Sequence, residues 1–375
     1  MGTAGHVHLD RNAGGPIHPA AWQAYVDALA VNAAPESLHP AGRAAQATLL
    51  QARRTIAAAI NAAADDVVLL SGGTEADALA LAVAMAPGGP VGCPHVVCSG
   101  IEHAGVYASL AAWAEAGRLT YTQVPAGRDG QVAVPALLRA ITPETRLVSL
   151  SLACNETGVV QPVAELADHC RPRGIRVHSD AVQAIGRIVV DVQRLGVDLL
   201  SLSGHKVGAM GGTGALYVHP ALSTQPLVAG PAEANVPGAA SLAAALRHLP
   251  DAPNRVAVAQ QRDAFEHWAQ TALSCSVEVL GQQAPRLPNT SCMRFIGCAA
   301  EALMMALDVA GFAVSTGSAC SSGAIDPSPL LLGMGLTASE AQEALRLSWG
   351  GPLSAAAFGA LRQALAAAVA QVAYP

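Results

Sequence analysis

Aromatic side chains make up only 3% of the 375 residues and charged ones only 13%, although 52% are hydrophobic. Alanine supplies much of that apolar share, so the core must rely on close helix packing by small side chains. No uninterrupted apolar run reaches ~18 residues, which gives no reason to expect a membrane span. The opening Met1-Gly-Thr-Ala-Gly-His6 lacks the basic and then apolar plan of a secretory signal. Basic stripes are missing too. With 21 Lys and Arg against 27 Asp and Glu, the net charge is −6, and nucleic acid is not an expected partner. Eight cysteines spread over a chain this long read as thiols of a cytoplasmic protein rather than as a disulfide framework. Nucleotide fingerprints are also absent. There is no P-loop, and Gly212 and Gly214 are followed by Tyr217 where a dinucleotide fingerprint needs glycine.

What is present is an alternation of helical and strand patterns. Residues 16–31 and 40–61 read as Ala-rich helices, and Val67-Val-Leu-Leu70 as a short buried strand. Strands near 95–99, 119–124, 146–152, 175–179 and 198–203 alternate with helices at 103–116, 133–141 and 162–172. Such alternation predicts a mostly parallel sheet covered by helices on both faces, with ligands at the carboxyl ends of its strands. The pattern weakens around 225–238. Helical segments between 239 and 272, interrupted near Pro250 and Pro253, lead to strands at 277–280 and 291–296 and a helix at 299–310. Leu345-Arg-Leu-Ser-Trp349 reads as a further strand, and 353–371 as a closing helix. The expected organisation is a large domain at 16–240 and a small one made of 1–15 and 241–375.

Polar residues able to do chemistry sit at the predicted strand ends. Ser201-Leu-Ser-Gly-His-Lys206, ahead of a glycine-rich turn, places a partly desolvated lysine where its amine can form a Schiff base. Pyridoxal phosphate (PLP) is one cofactor that uses such a lysine. Ser71-Gly-Gly-Thr-Glu75 joins a strand to a helix N-terminus, where free amides and the helix dipole favour a phosphate. Gly73 and Thr74 would line that site, unless Thr74 merely caps the helix. Asp180 ends a strand and could pair with a pyridinium nitrogen or cap a helix, and Gln183 could reach a phenolic oxygen beside it. His103 could stack on a ring or move protons. Cys320, in a loop of Ser, Gly and Ala, is a candidate nucleophile. Arg346, in an apolar strand, needs a buried partner, either a substrate carboxylate or a structural acid. The run Cys93-Pro-His-Val-Val-Cys98 lacks a second ligand pair and reads as chance rather than as a metal site.

Taken in order, these segments resemble the cysteine desulfurases, PLP enzymes of fold type I in the class V aminotransferase group. The resemblance rests on His8-Leu-Asp-Arg-Asn-Ala13, Ser71-Gly-Gly-Thr-Glu-Ala76, Glu102-His103 and Asn155-Glu-Thr-Gly158. It continues through Asp180-Ala-Val-Gln183, Ser203-Gly-His-Lys206, Leu287-Pro-Asn-Thr290, Ser315-Thr-Gly-Ser-Ala-Cys320 and Leu345-Arg346. It implies a seven-stranded, mostly parallel sheet, a smaller α+β domain and a homodimer. PLP would be carried by Lys206, with its phosphate on Thr74, Ser203 and His205, its ring nitrogen on Asp180 and its phenolic oxygen on Gln183. His103 would cover the ring face. The substrate L-cysteine would rest its carboxylate on Arg346 and Asn155 and yield alanine and a persulfide on Cys320, destined for an acceptor or scaffold protein. The loop from 314 towards Pro327-Ser-Pro329 resembles the longer loop of the housekeeping type, which implies iron–sulfur cluster assembly as one use of the sulfur. The chain departs from the family at Ala13-Gly-Gly-Pro16, where Ala-Thr-Thr-Pro is usual, and at Cys154, where asparagine is usual. A third departure is a shortened segment at 228–238, without the usual arginines and threonine. These departures suggest a specialised desulfurase. The competing expectations are a selenocysteine lyase or another β-eliminating relative, and a non-catalytic partner subunit or persulfide carrier.

Overall fold

The computed structural model describes residues 6–85, 93–222, 235–316 and 327–372. After a two-residue strand, β1 (Val7–His8), come two helices, α1 (Pro19–Val31) and α2 (Pro40–Ala59). Each starts at a proline just inside a histidine cap. The Ala20 amide donates to Nδ1 of His18, and the Gly42 amide to Nδ1 of His39. Strand β2 (Val67–Leu70) then leads into α3 (Gly73–Ala84), β3 (His95–Ser99) into α4 (Ala104–Glu115), and β4 (Thr120–Val124) into α5 (Val134–Arg139). Strand β5 (Thr145–Ser149) leads into α6 (Val163–Cys170), and β6 (Arg176–Asp180) into the one-turn helix α7 (Val192–Leu195). A β-hairpin of β7 (Leu199–Ser203) and β8 (Gly214–Val218) ends this half.

The seven strands β2 to β8 form one sheet in the order β2-β8-β7-β6-β5-β3-β4. All neighbours are parallel except at β8, which runs antiparallel to both β7 and β2. This is the mostly parallel, helix-covered sheet that the alternation predicts. Its carboxyl ends carry Ser99, Ser149, Asp180 and Ser203 on neighbouring strands.

Beyond it lie α8 (Val236–Arg247), α9 (Ala252–Ala272), β9 (Val277–Val279), β10 (Thr290–Phe295) and α10 (Ala300–Val309). The chain closes with β11 (Phe312–Ala313), α11 (Pro329–Gly333), α12 (Ala338–Ala341), β12 (Ala344–Ser348) and α13 (Ala355–Val372). Strands β12, β10 and β9 make a small antiparallel sheet, and β1 pairs in parallel with β11. The first residues of the chain thus join its last third. Pro253 interrupts nothing; it sits in the first turn of α9, where its missing N–H costs no hydrogen bond.

The scarcity of Phe, Tyr and Trp holds for the main sheet, whose core is mainly Val, Leu, Ile and Ala, with Tyr217 as the buried member of that set in this cluster among the described residues. The small sheet is different. All four phenylalanines gather there with Trp349 and Trp268, and Phe265 meets the Trp349 ring edge-on at 5.9 Å. Helix α13 is long and apolar enough to cross a membrane by length and composition. Its Leu361, Leu365, Ala368 and Val369 nevertheless fill this second core, and Arg362 lies over the Phe358 ring at 4.4 Å.

Candidate active site

Helix α3 begins without a side-chain cap. Its N-cap is Gly72, so Thr74 lies in the first turn rather than at the cap, and the amides there keep no side-chain acceptor. Glu75 does not intrude. Its carboxylate turns back to accept from the amide and hydroxyl of Ser71, both at 2.6 Å. Ser203 stands against the start of the helix, since a Cβ placed on Gly73 would come 3.4 Å from that of Ser203. The Ser203 hydroxyl lies 2.8 Å from Nδ1 of His205. On the other side, a Cβ on Gly105 would fall 2.9 Å from Thr74 and 3.1 Å from Nδ1 of His103. Gly73, Thr74, Ser203, His205 and His103 therefore share one corner of the sheet.

His103 caps α4, its Nδ1 accepting from the Gly105 amide at 3.1 Å. Desolvation first and the Lys206 charge second push its pKa down. The ring is thus neutral with its proton on Nε2, and its side chain is exposed. Beside it, Glu102 is buried and ties two strand ends together. Its carboxylate accepts from the Ser99 hydroxyl (2.6 Å), the Ser151 amide (2.9 Å) and the Ser151 hydroxyl (2.7 Å). Burial outweighs these donors and raises the Glu102 pKa to about 7.

Asp180 is buried at the end of β6, and its Oδ1 accepts from the Val182 amide at 2.7 Å. The chain leaves β6 through a turn rather than a helix, so the aspartate is not a helix cap. No cation pairs with it among the described residues, and burial lifts its pKa to about 6. Lys206 is half-buried, and its Nζ donates to the carbonyls of Asn12 (2.7 Å) and Ala13 (2.9 Å). Burial, then the charges of Arg187 and Arg346, depress its pKa to about 8, against the pull of Asp10 and Asp180. Gln183 reaches the same acceptor, its Nε2 donating to the Asn12 carbonyl at 3.0 Å.

Arg346 arrives from β12 and is buried. One terminal nitrogen donates to Oδ1 of Asp10 at 2.6 Å and the other to the Asn155 carbonyl at 3.1 Å. The structural acid that an apolar strand demands is thus present, and the Asn155 backbone adjoins the same guanidinium. Cys320 lies outside the described residues. The flanks of its loop do not: Ser315 exchanges backbone hydrogen bonds with Arg346, and the Ser328 hydroxyl donates to Glu156 at 2.9 Å. The described residues on either side, Ser315 and Ser328, therefore lie against Arg346 and Glu156. His95, of the supposed metal run, is engaged by the hydroxyls of Thr145 and Thr122, and no metal-ligand group exists among the described residues.

The donor set suits PLP. Uncapped α3 amides with Ser203 and His205 fit a phosphate. A buried carboxylate without a cation fits the ring nitrogen, and an amine with a depressed pKa fits the aldehyde. The class V aminotransferase family model matches residues 7–233 and 227–350. A cysteine desulfurase of Cereibacter sphaeroides is 37% identical over 352 residues, spanning 91% of this chain and 90% of that protein. The chain belongs to the cysteine desulfurase family. An IscS cysteine desulfurase of Dictyoglomus turgidum is 32% identical over 358 residues, covering 92% and 89% of the two chains. In fold, the NifS-like protein of Rickettsia africae superposes with a TM-score of 0.84 at 24% identity, covering 97% and 99%. The cofactor of this family is PLP, and the sheet is that of its fold type I members.

Three residues make contacts here that no motif names. Asn12 and Ala13 act through backbone carbonyls, and Arg187 acts through its contacts with Gln183. A simple signal was available for Lys206, which is the only lysine in the chain.

Proposed function

We propose that Lys206 carries the cofactor and Cys320 receives the sulfur, in a cytoplasmic homodimer that hands this sulfur to an acceptor or scaffold protein. The chain is a PLP-dependent cysteine desulfurase. Overall, the Cys320 thiolate takes the substrate sulfur as a new S–S bond. The electron pair of the broken C–S bond stays on the substrate carbon, which gains a proton to give alanine. Bound PLP supplies the electron sink for this exchange.

The residues divide the remaining work. Gly73, Thr74, Ser203 and His205 hold the phosphate, Asp180 the ring nitrogen and Gln183 the phenolic oxygen. Neutral His103 covers the ring and can pass its Nε2 proton. Arg346, steadied by Asp10, takes the substrate carboxylate together with Asn155. Residues 16–240 form the cofactor domain, and 1–15 with 241–375 form the domain that brings Arg346 and the Cys320 loop. The seven described cysteines are all free thiols, which supports a reducing compartment. Exposed Trp22, Val26 and Leu29, one helical face of α1, support a dimer.

One observation carries the reading: Lys206, Asp180 and the uncapped start of α3 converge from separate strand ends. The test is alanine release from L-cysteine, with intact mass measured before reduction. Wild type should gain sulfur, Cys320→Ser should gain none, and Lys206→Ala should neither bind PLP covalently nor release alanine. Alanine formed by Cys320→Ser at the wild-type rate would exclude Cys320 as the acceptor and point to simple elimination.

A further inference from the structure

Arg187 sits seven residues beyond Asp180, half-buried, and forms no ion pair among the described residues. Its guanidinium donates instead to three oxygens: the Gln183 carbonyl (2.5 Å), Gln183 Oε1 (2.7 Å) and the Arg11 carbonyl (3.2 Å). The Gln183 amide is thereby fixed from both ends. Its Oε1 faces a donor that has no acceptor to offer, and its Nε2 faces the Asn12 carbonyl, which can only accept. A flipped amide would set donor against donor and acceptor against acceptor. The Asn12 carbonyl is held just as firmly. The buried Asn12 side chain donates to the Asn155 carbonyl (3.0 Å) and Thr290 Oγ1 (2.9 Å), and it accepts from Asn289 at 3.2 Å. Arg187, Gln183, Asn12 and Lys206 thus form one unbroken chain of hydrogen bonds ending on the catalytic amine.

We propose that Arg187 is a positioning residue for this site. It turns the N–H end of Gln183 towards the cofactor and keeps a positive charge, with no carboxylate partner among the described residues, on the same hydrogen-bonded chain as Lys206. The proposal rests on the reading that Lys206 carries PLP. A carboxylate partner for Arg187 would cancel the charge, and the structure provides only carbonyl and amide oxygens. The groups that act on Lys206 from the surrounding elements are Asp10, Asp180, Arg187 and Arg346, with His103 and His205 as its other titratable neighbours. Arg187 is the foremost charge among those that lower the pKa of the amine.

The chain has a single lysine, so amine chemistry reports on Lys206 with only the α-amino group beside it as internal reference. The experiment is competitive acetylation of the cofactor-free, full-length protein across pH, read by mass spectrometry of the Lys206 peptide. Arg187→Met should move the titration midpoint up by about one unit. Gln183→Glu, nearly isosteric and able to pair with Arg187, should move it in the same direction without opening a cavity. Arg187→Lys should leave the midpoint near the wild-type value, because the charge stays. Its single ammonium cannot grip all three oxygens, so PLP uptake should weaken roughly tenfold. Unchanged midpoints in Arg187→Met and Gln183→Glu would overturn the proposal, as would a shift in Arg187→Lys as large as that in Arg187→Met. Borohydride reduction of the PLP-loaded wild type tests the underlying reading separately: PLP fixed anywhere but on Lys206 sinks that reading, whatever the midpoints show.

Discussion

Glu102 and Lys206 show how far a residue can be read before its surroundings are known. Glu102 stands in a recognisable Glu-His pair, yet its task of tying Ser99 to Ser151 depends on a partner 49 residues away in the chain. Its raised pKa gives a test with a definite sign. A carboxyl whose folded pKa lies at about 7, above its ordinary value of 4.5, binds protons more tightly in the native state. Its contribution to stability is complete below the unfolded value and is lost as pH rises through the folded one. Glu102→Gln removes that dependence and keeps the shape, with the Ser151 hydroxyl free to turn and accept from the new amide. The thermal midpoint of the variant, relative to wild type, should therefore climb between about pH 5 and about pH 8. A constant difference across that range would mean that Glu102 titrates normally. The placement of Lys206, Asp180 and His103 at or just beyond strand ends is legible in the sequence, because it is a property of the sheet. Asn12 and Arg187 are not. A backbone carbonyl has no letter in the sequence, and the grip of Arg187 on Gln183 needs a turn that only the fold creates. Cys154 lies between these cases. In place of the usual asparagine, its Sγ accepts from the amides of Glu156 and Thr157, both at 3.4 Å, so the turn survives the change.

Elements that announce themselves by period were readable, and those defined by their partners were not. The strands of the main sheet and their helices fall close to the predicted spans, because each strand is a short buried run between polar turns. Strand β8 is equally apolar, but nothing in its own residues says that it runs antiparallel. The two-residue strands β1 and β11 carry no period and exist only because they pair with each other. The turn after β5, which places Asn155, makes the dependence on a partner concrete. Gly158 ends it at a φ of +74°, and an added Cβ would lie 2.6 Å from the Cβ of Thr290 on β10. Thr290 in turn receives the Asn12 amide. Gly158→Ala therefore meets both a left-handed backbone and a crowded neighbour, and should cost about 1–3 kcal/mol. Urea titration measures this. The substrate KM should also rise, since Asn155 and the Asn12 carbonyl move with the turn. A variant as stable as wild type would show that the turn can open away from β10 without loss.

At the scale of the whole molecule, the main core takes in Cys292 of β10 and Ala344 of β12, and buried polar contacts add to this apolar join. Asn12 links the first loop to Asn155 and Thr290, and Arg286 grips Glu266 of α9 in a buried fork at 2.7 and 2.8 Å. Through its bridge to Val159, Arg286 also holds the Asn155 turn. The proposed active site lies where these links meet, an arrangement that would let a substrate engage residues from both cores at once. The outer surface suggests the next level of organisation. Trp22 and Leu29 are each 51% exposed on α1, Val26 lies between them on the same face, and Leu38 beyond the helix is 90% exposed. On a chain with only four tryptophans, leaving one half in water is costly unless a second surface covers it. If that surface belongs to a second copy, a charge there must be desolvated on association, and this opposes pairing far more than it disturbs the monomer. Trp22→Glu combined with Leu29→Glu should therefore shift the protein from dimer to monomer in sedimentation velocity, with its thermal midpoint little changed at low protein concentration. PLP uptake by the resulting monomer would then show whether Thr74, Ser203 and His205 hold the phosphate unaided. A double variant that still sediments as a dimer would place the interface on another face.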